Sequence, residues 1–161
     1  MAMSIQEIKK DRLRYTKNKT SANLTYLAIL FDVLYFVSIY SSDVNNYYYT
    51  ITIGLSVVYN LVFLLVAFLA SEGLKNYKLS YAYTIIAIGV LQIARIFGIP
   101  TMAHEAVSTM EGVDMIVMDD KQFTYVVVCL LISAVTAIIA GVVGIYKSVT
   151  LTKYMKEKGL E

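Results

Sequence analysis

Residues 24–40 read LTYLAILFDVLYFVSIY, an apolar run broken by a single carboxylate, Asp32, near its middle. At a helical rise of about 1.5 Å per residue, this run nearly crosses a hydrocarbon core about 30 Å thick. An acid at that depth costs roughly 2.5–3.5 kcal/mol on insertion scales, so Asp32 needs a partner or a task. With its flank, residues 22–40, the run is the first of four segments of similar character. The others are 51–70 (ITIGLSVVYNLVFLLVAFLA), 81–100 (YAYTIIAIGVLQIARIFGIP) and 123–146 (FTYVVVCLLISAVTAIIAGVVGIY). Each approaches the ~20 residues that a membrane-crossing helix requires. Lipid offers the backbone no hydrogen bonds, so all four are expected to be helices despite β-branched runs such as Val126–Val128. The expected fold is an all-α integral membrane protein, a four-helix transmembrane bundle.

Composition agrees. Hydrophobic residues make up 58% of the 161 positions and charged residues only 16%, where a soluble domain carries about 25%. Three regions follow: a basic segment (1–21), the four-span domain (22–146, with an outer loop at 101–122) and a tail (147–161). No short apolar run with a small-residue cleavage site opens the chain, so no signal peptide is expected.

Charge supplies the orientation. Lys9, Lys10, Arg12, Arg14, Lys17 and Lys19 precede the first span. Lys75 and Lys78 lie in the second loop, and Lys147, Lys153, Lys156 and Lys158 in the tail. The opposite side holds only Lys121, against Asp43, Glu105, Glu111, Asp114, Asp119 and Asp120. By the positive-inside rule both termini are cytoplasmic and the protein is multi-pass in the cell (plasma) membrane. Tyr40, Tyr47–Tyr49, Tyr77, Tyr81, Tyr83 and Tyr146 fall where interfacial aromatic rings belong. Topology accounts for the basic residues, and no nucleic-acid partner is expected. Ser4 and Glu7 have capping-box spacing, so a helix is expected from Ser4. Its Ile5, Ile8 and Leu13 beside basic residues would allow contact with anionic lipid. Usage rich in Lys, Ile and Tyr accords with a low-GC bacterium.

The spans share a polar layer. Asp32, Asn60 and Gln92 each lie roughly 12 Å below the outer edge and Ser133 about 15 Å, with Arg95 one turn above Gln92 on the same face. Asp32 and Arg95 are the only acid and base in the four spans. Three readings stay open. The two form a buried pair, helped by Asn60, Gln92 and Tyr35; or Asp32 is an ion or proton site in a transport path; or Arg95 snorkels outward and Asp32 meets a partner.

Packing signals accompany the layer. Ser133, Ala137 and Gly141 recur at spacing four, as do Thr136, Ala140 and Gly144 on the adjacent row. Such small-residue rows let helices approach closely, within one bundle, in a second copy or in another subunit. Ser56, Asn60, Phe63 and Ala67 form an inward face on the second span, and Gly73 is placed to end that helix.

The outer loop, TMAHEAVSTMEGVDMIVMDDKQ, holds the only histidine, His104. Thr101 is expected to cap a short helix ending before Gly112. Val107, Met110, Val113, Met115, Ile116, Val117 and Met118 suit a lid on the bundle or on a partner. The adaptable side chains of Met110, Met115 and Met118 are the docking candidates. Asp119 and Asp120 suit the start of the fourth helix.

Chemistry is absent from the pattern. One cysteine, Cys129, excludes internal disulfides and paired-cysteine redox or zinc sites. There is no nucleophile–base constellation, no HExxH, no phosphate-cradling glycine loop and no metal-ligand set. No catalytic residue, metal or cofactor is expected. The expectation is a non-enzymatic membrane subunit, an accessory subunit of a transporter that packs against a larger membrane complex. Its partners would be other membrane subunits or a second copy, within the lipid bilayer. The alternative is a small homo-oligomeric transporter or channel using Asp32 as its ion or proton site.

Overall fold

The computed structural model describes residues 5–40, 47–105, 107–110 and 113–160. In chain order these form α1 (Ile5–Tyr15), α2 (Lys19–Tyr40), α3 (Tyr47–Lys75), α4 (Leu79–Ile96), α5 (Ile99–Glu105), β1 (Val107–Met110), β2 (Val113–Ile116) and α6 (Asp120–Glu157). Four of the helical stretches are long and apolar enough to cross a membrane: Lys19–Ile39, Gly54–Lys75, Leu79–Glu105 and Asp120–Glu157. They are the four segments read from the sequence, so the multi-pass membrane character stands.

The helices overrun the hydrocarbon limits because backbone hydrogen bonding does not stop where hydropathy does. Helix α6 continues unbroken through most of residues 147–161, to Glu157. Gly73 does not end α3, which runs on to Lys75. The ring of Tyr81 packs against the Gly73 Cα, leaving no room for a side chain. The left-handed residue of this turn is Tyr77 (φ 55°). Ser4 lies outside the described residues.

α6 is the central mast of the bundle. It packs along α2 and α4, while α3 closes the far side between those two. The small-residue rows do this work inside the bundle. Ser133, Ala137, Ala140, Gly141 and Gly144 are all buried. A Cβ on Gly141 would meet Ile86 and stand 2.8 Å from the Ala82 carbonyl oxygen. One on Gly89 would stand 2.9 Å from that of Ala134. Both glycines therefore set how closely α4 and α6 approach, and the rows are not left open for a partner.

Two apolar cores result. The inner one gathers Ala28, Phe63, Ala67, Leu74, Ile85, Ala137 and Ala140. The outer one gathers Tyr35, Ile39, Met118, Val126, Cys129 and Leu130. On α2, α4 and α6 the residues between these groups are Asp32, Gln92 and Ser133. The polar layer thus separates two apolar cores.

The outer connection differs from its expected form. The third span breaks at Phe97 and Gly98, whose N–H groups donate to the carbonyls of Ala94 and Arg95 (3.2 and 3.0 Å). α5 then starts at Ile99, with Pro100 in its first turn where a missing N–H is harmless. The short helix ends before Gly112 as expected, but Thr101 lies inside it and does not cap its start; its hydroxyl donates to the carbonyl of Ile96 at the end of α4 (2.7 Å). Beyond α5 the chain forms an antiparallel hairpin, Val107 opposite Ile116 and Met110 opposite Val113. The sequence signal was the two-residue Glu111-Gly112 connection between β-branched stretches.

Asp119 caps α6. Its carboxylate accepts from the Gln122 N–H (2.7 Å), while Asp120 occupies the first turn. Asp119→Ala is expected to cost about 0.5–2 kcal/mol, the usual loss of an N-cap. A detergent thermal melt followed by circular dichroism checks this, and no change in the melting midpoint would refute it.

Candidate functional site

Each spanning helix places a polar residue inward at the level of this layer. Asp32 comes from α2, Asn60 from α3, Gln92 and Arg95 from α4, and Ser133 from α6. Asp32, Asn60, Gln92 and Ser133 are fully buried. On α4, Gln92 and Arg95 sit three residues apart and so face the same way.

Asp32 and Arg95 meet inside the bundle, the contact that the first of the three readings describes. Arg95 Nη1 donates to Asp32 Oδ1 (2.8 Å) and to Gln92 Oε1 (2.9 Å). Arg95 Nη2 donates to Asn60 Oδ1 (2.8 Å). Gln92 Nε2 donates to Asp32 Oδ1 (2.7 Å) and to the Ser133 hydroxyl (3.2 Å). Ser133 in turn donates to the Ala28 carbonyl (2.9 Å), tying α6 to α2. The network spans all four helices. Charge-assisted bonds of this kind are the stronger class, and low dielectric strengthens them further.

The pair is shielded as well as bonded. The Arg95 side chain is 11% exposed and that of Asp32 0%. The guanidinium lies 4.6 Å from the Tyr35 ring centre, 4.8 Å from that of Tyr59 and 5.9 Å from that of Phe63. Guanidinium groups favour such aromatic faces, the more so when desolvated. Tyr35 was anticipated as a helper; Tyr59 and Phe63 were not. They sit one position before and three after Asn60 on α3, a helical face that places rings beside an inward polar residue.

Two buried atoms stand out. Asp32 Oδ2 and Asn60 Nδ2 make no well-formed hydrogen bond, although the Asn60 side chain is near enough to act on the carboxylate. A crevice of ≈ 290 Å³ reaches Arg95 between Tyr35, Ser56 and Tyr59, with Leu55 and Ile99 on its walls. Asp32 does not line it. The carboxylate is therefore held by Arg95 and Gln92 rather than presented to an opening.

A second polar cluster, at the other end of the bundle, was not foreseen. The Asn18 N–H donates to the Lys75 carbonyl (3.0 Å), and Lys147 Nζ donates to Asn18 Oδ1 (3.0 Å) and Thr20 Oγ1 (3.1 Å). Asn18 also caps α2, its Oδ1 accepting from the Ser21 N–H (3.4 Å). An Asn just before an apolar run is a helix-start signal, and it was legible. Nearby, Tyr26 donates to Glu72 (2.9 Å), Lys75 donates to Tyr26 (2.8 Å), and Lys75 pairs with Glu72.

The outer-loop residues are divided. Met118 is fully buried in the outer core, so its side chain faces the bundle and is withdrawn from any docking surface. The physical reason is its place just before α6, where the chain turns inward over Ala103. Met110 and Met115 fall on β1 and β2, and their side chains lie outside those described. His104 stacks on Phe123, ring centres 4.3 Å apart, and its Nε2 lies 3.6 Å from Asp120. Among the described residues no three His, Cys, Asp or Glu side chains gather as a metal would need. No family model, no curated protein and no solved structure matches this chain.

Proposed function

We propose that this protein is a non-enzymatic subunit of a larger membrane complex, an accessory subunit of a transporter in the plasma membrane of a bacterium. Both termini then face the cytoplasm, as twelve of its fourteen Lys and Arg residues favour. The observation that carries the reading is the Asp32–Arg95 pair. The acid and base of the spans neutralise each other inside the fold, bonded directly by Asn60 and Gln92 and through Gln92 to Ser133, so the bundle acts as a rigid block. A rigid block with apolar flanks on α3 and α6 suits a packing partner.

Purification in mild detergent from native membranes tests this. A second polypeptide in fixed ratio is expected. A monodisperse homo-oligomer carrying no other polypeptide would overturn the reading.

The alternative is a small homo-oligomeric transporter or channel working through Asp32, whose Oδ2 is buried without a hydrogen-bond partner. That alternative predicts pH-dependent flux in vesicles, lost in Asp32→Asn while assembly is kept. The subunit reading predicts no flux from the isolated protein.

A further inference from the structure

The helix α1 does not lie flat beside the bundle. Lys158 Nζ binds Glu7 (3.3 Å) and the Tyr154 hydroxyl donates to Asp11 (3.2 Å). The two pairs step in opposite directions along the chain, so α1 runs antiparallel to the end of α6 and packs lengthwise on it. From Lys147 to Glu157, α6 runs on for about 15 Å beyond the apolar segment. The two helices therefore form a prong that carries the start of α1 away from the bilayer.

Docking sorts the charges of α1. Both of its internal acids, Glu7 and Asp11, turn toward α6. The opposite ridge carries Ile5, Ile8 and Tyr15, exposed by 74, 55 and 75%. Lys9 and Arg12 stand exposed among them. Spacings of three and four place these five on one face. That face is apolar and basic, without an acid. Its complement is an apolar surface rimmed by carboxylates. A flat anionic leaflet would offer the same chemistry, but Ile5 and Ile8 sit beside the end of α6, about 15 Å beyond its apolar segment.

We propose that this ridge docks a soluble, cytoplasmic domain of a partner protein through an acidic surface with an apolar recess. The inference rests on the subunit reading and names its contact. The test is a photo-crosslinking residue at Ile8 of the full chain in native membranes, with Lys121, exposed at the opposite end of α6, as control. A second polypeptide crosslinked through an Asp- and Glu-rich peptide is expected. Lys9→Glu with Arg12→Glu should lower the yield about tenfold, a small cost in binding free energy, and changing the partner's acids to Lys should restore it. Retained protection of Cys129 from thiol reagents shows that the variant is folded.

Crosslinks to lipid or to this chain alone, an acid-free peptide, indifference to charge reversal, or no crosslink at all would each overturn the proposal. So would quenching of a fluorophore at position 8 by headgroup-labelled lipid in phosphatidylglycerol vesicles. A partner that co-purifies without touching position 8 removes the docking inference and leaves the subunit reading standing. Absence of any partner removes both.

Discussion

Arg95→Ala is expected to destabilise the bundle by about 3–5 kcal/mol, the range for stranding one member of a buried ion pair. Asp32 would keep only the Gln92 amide, and Asn60 and Gln92 would each lose the guanidinium that their side-chain oxygens accept from. Tyr35, Tyr59 and Phe63 would face the space that it filled. The double variant Asp32→Leu with Arg95→Met should recover most of the loss, because removing both charges also removes the desolvation cost. Cys129 supplies the readout. It is the single cysteine and is 2% exposed, so a thiol-reactive dye reports unfolding in a denaturing detergent titration. Wild-type resistance in Arg95→Ala, or a double variant as weak as the single, would show that the pair does not hold the helices.

Gly141→Val should be the most damaging change on α6, with a loss of at least about 1–3 kcal/mol from overpacking. The obstacle is a backbone atom, the Ala82 carbonyl oxygen, 2.8 Å from where Cβ must go. A side chain can swing aside; that carbonyl cannot without parting α4 from α6. Ile86→Ala in the Gly141→Ala background should restore part of the stability, since it removes the flexible clash and leaves the rigid one. Val142→Leu, on the neighbouring exposed position, should stay within about 0.5 kcal/mol of wild type. The same dye titration compares all four proteins, and equal midpoints for Gly141→Val and Val142→Leu would contradict the packing described.

The sequence was informative where one physical constraint dominates. Spans 22–40, 51–70, 81–100 and 123–146 were legible because lipid demands long apolar helices, and no local propensity outweighs that demand. The depth of Asp32, Asn60, Gln92 and Ser133 was legible because helical rise converts residue number into height. The reach of α6 to Glu157 was not, since hydropathy marks the membrane and not the end of a helix. Nor was the pairing of β1 with β2; the short helix expected before Gly112 is present as α5, but the strands that follow it were not anticipated.

Height is set by sequence, but azimuth is not. Counting residues placed an acid and a base within reach, and could not tell whether they turned toward each other, toward a pore or toward a partner. That depends on how the helices rotate and cross. The close seat of α4 on α6 at Gly89 and Gly141 fixes those angles, and with them the meeting of Arg95 with Asp32. Likewise, the residues of α1 named an amphipathic basic helix, and its bonds to Tyr154 and Lys158 decided which face looks outward. The acid in LTYLAILFDVLYFVSIY declared that it needed a partner; only the packing of four helices supplied one.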